Sequence, residues 1–482
     1  MKPTPGSAAR PTRVGSPDVT PEDILYAGLA GQADLIRTKQ LSSVELTTLA
    51  LERIHALDGG LGAFRTVLRA SALREAAARD AQDIYNRGPL HGVPVAIKDE
   101  NDVAGEVTTY GGLAQRTPVV EDSETVRRLR AAGAVIIGKT RMSEFGQWPF
   151  TETVAFGITR NPWDPSLTPG GSSGGSAVAV ATGMVAAALG GDGGGSIRIP
   201  SAWCGLFGLK PQRGRVSSAP YSSLWNALGT TGPLTRRVVD SALFYDVIHG
   251  ATAQDRWHAI EPVVSYVDQL REPVPSLRIG IIDKPALPWI ALDPDQRVAL
   301  TRTAELLEEF GHKIEHVRRR LPNHGPSFTP QYFGAVRDEA RLVEDPARLE
   351  RRTRKSIRLG KLFPDSVVRW AERRGDALAK KADRLLYDYD LLLTPTVPTL
   401  PPAAGILDGI GPVRALWRSN PATTYTAIWN VTGHPAAAVP AGFTPAGLPL
   451  SIQLIGPRDG EGLILKVAAQ LEAARPWADL QP

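Results

Sequence analysis

The chain has 482 residues, of which 42% are hydrophobic and 22% charged, and its formal net charge is +5. This is the composition of a globular protein with a sizeable core. The small charge excludes a broad nucleic-acid footprint, because the basic runs at 318–320 and 351–355 lie close to acidic residues. The one cysteine, Cys204, excludes an internal disulfide and favours a reducing compartment.

The N-terminal segment 1–20 is rich in Pro, Ser and Arg and lacks the apolar centre of a secretory signal, so we predict a disordered tail. No strongly apolar run in the sequence is long enough to cross a membrane. We therefore expect a cytoplasmic protein that contacts neither membrane nor nucleic acid.

The first predicted elements are helices. Thr20 is suited to cap a helix that has Pro21 at its first position, and further helical patterns follow as far as Gly88. The β-branched run at 92–99 then predicts a buried strand.

Helices and strands alternate beyond that strand. The patterns predict a helix at 123–133, a strand at 134–139, a helix of small residues at 172–183 and a strand at 184–189. This alternation predicts an α/β fold with a single large, mixed, mostly parallel β-sheet sandwiched between helices.

The second half of the chain continues the same rhythm from about residue 270. Residues 335–390 are charged and helical in period, and we interpret them as a variable helical insertion. We find neither an internal repeat nor a linker that would separate domains. The sequence therefore predicts one domain over residues 21–482.

Two motifs, one containing Lys139 and the other containing Ser172 and Ser173, have more than one interpretation. Residues 133–140 match a phosphate loop, but the apolar run between the glycines favours a core strand over a nucleotide site. Ser172 and Ser173 each centre a G-x-S-x-G pattern, as in an α/β-hydrolase esterase that would also use Asp408 and His434. The proline-rich segment before them does not resemble the strand that such an elbow requires.

The stretch GGDGGGSIRIP, residues 190–200, follows the strand predicted at 184–189. It places Ser196 at or near a helix start, after Gly193, Gly194 and Gly195, which let a substrate carbonyl approach the backbone. Converging amides there would stabilise an oxyanion, where one donor contributes about 3–4 kcal/mol. A phosphate cradle remains open, although no lysine sits at the expected offset.

A serine nucleophile needs a base, and Lys98, at the end of the 92–99 strand, is the candidate. It is either an ion-pair partner of Asp99 or another acid, or a desolvated amine with a lowered pKa. Cys204 is a rival nucleophile that we interpret as a buried, packed thiol. The histidines are scattered, so we expect no metal and no cofactor.

Five segments in order, GVPVAIKDENDVAG, GKTRMSEFG, NPWDPSLTPGGSSGGSAVAVATG, GGDGGGSIRIPSAWCGLFGLKP and NVTGHPAAAVPAGF…GLPLSIQLIG, resemble the amidase-signature family of serine hydrolases. The resemblance covers roughly residues 22–477 and implies that family's fold. It implies a nucleophile at Ser196, a bridging serine at Ser172 after a cis peptide bond and a base at Lys98. It also implies oxyanion amides at Gly193, Gly194, Gly195 and Ser196, and supporting roles for Ser173, Asp192 and Arg198.

The resemblance also bears on the substrate. The A subunit of glutamyl-tRNA amidotransferase is an alternative, but its branch usually has glutamine where this chain has Ile199. The glycine triplet is more similar to general and urethane-cleaving amidases, so we expect an aryl amide or carbamate as substrate. The expected pocket residues are Gly146, Gln147, Trp148, Ile199 and Trp225, and the expected assembly is a monomer or homodimer.

Overall fold

The computed structural model describes residues 20–223 and 225–482. The predicted tail lies outside these residues, apart from Thr20. Thr20 caps the first helix as predicted: its side chain accepts a hydrogen bond from the Asp23 amide, and the Asp23 carboxylate accepts one from the Thr20 amide. This reciprocal pairing satisfies amides that a helix start leaves without partners.

The helices lie on both faces of the sheets. They are α1 Pro21–Tyr26, α2 Gly28–Arg37, α3 Ser43–Leu61, α4 Arg69–Asp80, α5 Glu124–Ala131, α6 Gly174–Ala181, α7 Arg198–Cys204, α8 Val238–Ile248, α9 Tyr266–Gln269, α10 Pro294–Glu309, α11 Gly325–Glu339, α12 Arg351–Gly360, α13 Asp365–Asp388, α14 Pro412–Thr423, α15 Ala427–Thr432 and α16 Glu461–Ala474.

The strands are short and mostly buried. They are β1 Phe64–Val67, β2 Pro94–Lys98, β3 Val135–Thr140, β4 Glu152–Thr153, β5 Gly157–Ile158, β6 Ala187–Asp192, β7 Gly208–Lys210, β8 Thr230–Thr235, β9 Arg278–Ile281, β10 Lys313–His316, β11 Leu391–Pro395, β12 Ala436–Phe443 and β13 Pro449–Ile455.

The mixed α/β prediction is confirmed, but the prediction of a single, mostly parallel sheet is corrected in both respects. The strands form one sheet in the order β1-β3-β2-β6-β8 and another in the order β10-β9-β11-β13-β12-β7. An antiparallel bridge between Phe207 and Thr235 joins the two. Parallel pairing is limited to β3-β2-β6 and β10-β9-β11, and the other neighbours in these sheets are antiparallel.

The strand that leads to Ser196 is β6, and it continues three residues beyond the predicted end at residue 189. Gly190, Gly191 and Asp192 pair with Gly232, Thr231 and Thr230 of β8. The cross-strand register therefore holds these glycines in extended form. The loop before Ser196 consists only of Gly193, Gly194 and Gly195.

Parallel pairing of β2 with β6 places the carboxyl ends of both strands at one edge of the first sheet. Both strands are buried along their whole length, as is typical of strands covered by helices on both faces. Lys98 is the last residue of β2, and Asp192 is the last of β6. The predicted site residues thus start from one sheet edge.

Residues 335–390 contain the end of α11 and all of α12 and α13. The single-domain boundary and the variable character of this segment stay predictions. Most of the stretch 133–140 is β3 rather than a phosphate loop, as its apolar sequence predicts. Lys139 of this strand is ion-paired with Asp99 at 3.0 Å. No helix among the described residues is long and apolar enough to cross a bilayer.

Candidate active site

Lys98 is buried at the end of β2 and directed at a serine. Its Nζ lies 2.8 Å from Ser172 Oγ and 3.4 Å from the carbonyl oxygen of Gly191. Of the acids predicted as ion-pair partners of Lys98, Asp99 is wrong, because its carboxylate is paired with Lys139 and Arg65. The prediction of another acid is confirmed by Glu100. The lysine is therefore in contact with Ser172 rather than with its neighbour in sequence.

A carboxylate also contacts this lysine. Glu100 Oε1 lies 3.2 Å from Lys98 Nζ, and the Glu100 side chain is 21% exposed whereas that of Lys98 is fully covered. Burial lowers the pKa of Lys98 below its ordinary value, and the Glu100 carboxylate acts in the opposite direction. Desolvation thus favours the neutral form of the amine, and the Glu100 carboxylate favours its charged form.

Ser172 is fixed by its backbone. The Gly171–Ser172 peptide bond is cis. The Thr151 hydroxyl donates to the carbonyl of Gly170 at 2.9 Å and accepts from the amide of Gly174 at 3.0 Å, on either side of this bond. Gly146, with φ of 66°, passes so close that a Cβ there would lie 3.2 Å from Ser172 Oγ. A side chain at residue 146 would crowd the serine hydroxyl.

Ser173 ties the two serine segments together. Its hydroxyl donates to the carbonyl of Gly191 at 3.1 Å, and its amide donates to the carbonyl of Ser196 at 3.3 Å. Ser173 is fully buried. It therefore contacts the backbone around the predicted nucleophile and does not face the substrate side.

Ser196 is partly exposed and follows the three-glycine loop, two residues before α7. Within the described residues, the amides of Gly193, Gly194 and Ser196 have no protein acceptor. The Gly195 amide, by contrast, donates to Asp192 Oδ1 at 2.7 Å. This corrects the prediction for Gly195, whose N–H is already engaged, and leaves three amides for an oxyanion.

Asp192 and Arg198 form a fully buried ion pair below this loop, with Nη2 to Oδ1 at 2.9 Å and Nε to Oδ2 at 3.0 Å. Burial favours the protonated acid, but the Arg198 guanidinium holds the pKa of Asp192 below its usual range. The same carboxylate accepts from the amides of Gly195 and Ile197. The pair thereby sets the shape of the turn that presents Ser196.

The sequence interpretation missed the partners that complete this pair. Arg198 also donates to Gln453 Oε1 at 2.7 Å, to Asn430 Oδ1 at 2.7 Å and to the carbonyl of Thr426 at 3.0 Å. The sequence offered one indication: the amide side chains Asn430 and Gln453 lie in the segments NVTGHP and IQLIG, beside apolar residues typical of a core. Thr151 and Glu100 were missed as well.

Ser196 lies where two cavities meet. One cavity, of about 230 Å³, is lined by all five predicted pocket residues together with Ser196. A narrow cavity on the other side contains Lys98, Glu100 and Ser172, and it shares Glu100 and Trp225 with a larger outer cavity of about 400 Å³. The first of these, called the aromatic cavity below, has aromatic and uncharged walls, whereas the other two share the acids Glu100 and Glu339.

The alternative catalytic groups are engaged elsewhere. His434 bonds Asp383 through Nε2 at 2.9 Å and Thr432 through Nδ1 at 3.0 Å, so it serves neither Ser172 nor Asp408. Cys204 is buried, and burial raises the pKa of its thiol. The esterase-type triad is therefore wrong, and Cys204 has the packed position that its surroundings predict.

Comparison with known proteins agrees with this fold. The sequence profile of the amidase family matches residues 45–465. The curated "Putative amidase AmiB2" of Mycobacterium tuberculosis is 42% identical over 468 residues, which are 96% of this chain and 99% of that protein. The chain therefore belongs to the amidase family, and it is a hydrolase that acts on the C–N bonds of amides.

Solved structures agree with this assignment. A 6-aminohexanoate cyclic dimer hydrolase complexed with substrate superposes with a TM-score of 0.89 and 29% identity, covering 95% of this chain and 99% of its own. A bacterial aryl acylamidase of the amidase-signature family gives a TM-score of 0.83 and 26% identity, with 94% and 98% covered. The similarity spans nearly the whole of each chain.

Proposed function

We propose that this chain is a serine hydrolase that cleaves aryl amides and carbamates through Ser196, Ser172 and Lys98. The observation that carries the proposal is the 2.8 Å contact between Lys98 Nζ and Ser172 Oγ, in a cavity that Ser196 also lines. A lysine that loses its proton there is a base in hydrogen-bond reach of a serine hydroxyl.

The proposed reaction moves one proton along this chain of groups. Neutral Lys98 accepts the proton of Ser172, which accepts that of Ser196 as Ser196 Oγ attacks the carbonyl carbon. The amides of Gly193, Gly194 and Ser196 donate to the oxyanion of the tetrahedral intermediate. The proton returns through Ser172 to the leaving nitrogen, the C–N bond breaks, and water then hydrolyses the acyl-enzyme.

The aryl preference is supported by the aromatic cavity. Trp148, Trp225, Phe328 and Tyr332 line it, and the rings of Trp225 and Tyr332 meet edge to face at 5.4 Å. Aromatic walls favour a flat apolar group over a charged one. Ile199 lines the same cavity and offers glutamine no polar contact, which argues against the tRNA amidotransferase alternative.

Carbamates fit the same groups as amides do. Both present a planar carbonyl whose oxygen becomes negative on attack, so the three amides serve either substrate. The resolved aryl acylamidase neighbour supports aryl amides, as its name states. Cytoplasmic location and the monomeric or homodimeric state stay predictions from the sequence.

A substrate panel tests the proposal. We expect anilides and aryl carbamates to have higher kcat/KM than aliphatic amides and esters of similar size. Ser196→Ala should be inactive on all of them, whereas Ser166→Ala, an exposed serine outside both cavities, should match wild type. Mass spectrometry should find an acyl adduct on Ser196 with an anilide, and an alkoxycarbonyl adduct with a carbamate whose C–N bond is cleaved. Activity on glutamine alone, or only with a co-purified partner chain, would support the amidotransferase alternative instead.

A further inference from the structure

Glu100 is an acid that the proposed reaction does not use, although it touches the proposed base. Its Oε1 lies 3.2 Å from Lys98 Nζ, and its side chain reaches the outer cavity while Lys98 is fully covered. Within the described residues, it is the carboxylate in ion-pair contact with Lys98. Any change in its charge is therefore felt directly by the amine.

The backbone holds Glu100 in this place. Its amide donates to the carbonyl of Lys98 at 2.8 Å, so the chain turns sharply at the end of β2. Its carboxylate lies against Gly191 of β6, where a Cβ would come within 1.9 Å of Glu100 Oε1. Only a residue without a side chain at 191 leaves room for this contact.

We propose that Glu100 is a positioning residue. Its carboxylate holds the Lys98 side chain beside Ser172 and sets the pH range in which kcat/KM rises. This inference rests on the proposed function, because it assigns a role in the activation of Ser196. It adds a residue that touches neither the reacting serine nor its oxyanion amides.

The electrostatic reason follows from the sign of each charge. An ionised carboxylate beside a lysine stabilises the ammonium form, which cannot accept a proton from Ser172. Glu100 therefore opposes the desolvation that favours the free amine. Removing its charge lowers the pKa of Lys98, so the active form persists to lower pH.

The other charged groups nearby do not replace Glu100. Asp192, on β6, also favours charged Lys98, but it is neutralised by its buried pair with Arg198. Glu339 of α11 and Tyr110 face Glu100 across the outer cavity. Burial and the Glu100 carboxylate raise the pKa of Glu339 well above its usual value, and burial raises that of Tyr110. Both shifts favour the uncharged forms of Glu339 and Tyr110.

The test is the pH dependence of kcat/KM for one anilide in wild type, Glu100→Gln, Glu100→Asp and Asp338→Asn. In wild type kcat/KM should rise with pH as Lys98 loses its proton. Glu100→Gln should move this limb to lower pH by about one unit or more. At a fixed pH on the acid limb, each unit of this shift raises kcat/KM about tenfold over wild type. Its alkaline plateau should be lower, because an amine of lower pKa is a weaker base.

Two variants serve as controls. Glu100→Asp keeps the charge and should leave the limb close to that of wild type. Asp338 lines the same outer cavity, but its carboxylate pairs with Arg337 and Arg341 instead of Lys98. Asp338→Asn should therefore not move the limb. Thermal unfolding of each variant establishes that it is folded.

Three results would overturn the inference: an unmoved limb in Glu100→Gln, an equal shift in Asp338→Asn, or complete inactivity of folded Glu100→Gln at every pH. An unfolded Glu100→Gln leaves the decision to Glu100→Asp, whose limb must then stay within half a pH unit or so of wild type. Full activity of Lys98→Ala would instead overturn the proposed function itself, whatever Glu100 does.

Discussion

At the scale of single residues, Lys98 experiences two opposing effects. Burial lowers its pKa, and Glu100 works against that shift. A base of this kind acts only when uncharged, so activity is lost as the pH falls through the pKa of Lys98 and is present above it.

Replacing Lys98 separates charge from basicity. Lys98→Met removes the base and should lower kcat/KM by about 10²–10⁴-fold. The variant should still fold, because the Glu100 carboxylate that loses its partner is 21% exposed and is solvated there. Lys98→Arg keeps a cation that stays protonated and should be as inactive as Lys98→Met. Steady-state kinetics with thermal unfolding of the same samples measures both. Substantial activity in Lys98→Arg would contradict a neutral base.

The Asp192–Arg198 pair gives a prediction about stability. Asp192→Asn leaves Arg198 charged and fully buried without its partner, which should lower the free energy of unfolding by about 3–5 kcal/mol. Asp345→Asn breaks the exposed pair with Arg116 and should change it by less than about 1 kcal/mol. Urea unfolding monitored by fluorescence gives both values. Equal losses in the free energy of unfolding would show that the buried pair stabilises the fold no more than the exposed one.

At the scale of elements, helix α6 carries Ser172 and Ser173 just before its first residue and is buried on every side. Gly175 in its first turn lies against the backbone: a Cβ there would be 2.4 Å from the carbonyl oxygen of Ala63 and 2.6 Å from the amide nitrogen of Arg141. The close approach of α6 to the β3 edge thus depends on glycine.

Gly175→Ala should push α6 away from that backbone. We expect a loss of about 1–3 kcal/mol in the free energy of unfolding, together with reduced kcat, because the serines at the helix start move with it. Gly59→Ala is the matched control: Gly59 lies at an exposed position of α3 with nothing near its missing Cβ, so alanine should stabilise by about 0.5–1 kcal/mol. Chemical unfolding and kinetics of both variants test this, and an unchanged Gly175→Ala would contradict it.

Local patterns were sufficient for many elements but not for their pairing. The strand at 92–99 and the small-residue helix after Ser173 follow from composition and period. The end of β6 was misplaced because its glycines are extended only through their register with β8, a partner some forty residues on. Likewise, the motifs nominated Lys98 and Ser196, whereas Gln453 lies too far along the sequence for any local pattern to indicate its contact with Arg198.

At the scale of the whole molecule, the site spans both sheets. Lys98 and Asp192 come from the first sheet, while Gln453 lies on β13 of the second and binds Arg198 between them. The sheets also share the bridge from Phe207 to Thr235. The loop that presents Ser196 is therefore held by the whole fold.

We accordingly expect activity and structure to be lost together. Anilide hydrolysis, tryptophan fluorescence and far-ultraviolet circular dichroism should give one coincident transition in urea. Gln453→Ala should move that common midpoint to lower urea concentration, because it leaves a hydrogen-bonding group of buried Arg198 unsatisfied. Activity lost well before either spectroscopic signal would contradict this coupling.

The contact between Arg198 and Gln453 joins residues 255 positions apart. A ribosome that has translated this sequence as far as about residue 400 has already produced Lys98, Ser172 and Ser196, yet the acceptors at Thr426, Asn430 and Gln453 do not exist at that moment. The nascent polypeptide must wait for its last strands before the guanidinium has all its acceptors. If the three residues act as proposed, competence for hydrolysis is a late event in biosynthesis, because an incomplete translation product carries them without the contacts that hold the Ser196 loop.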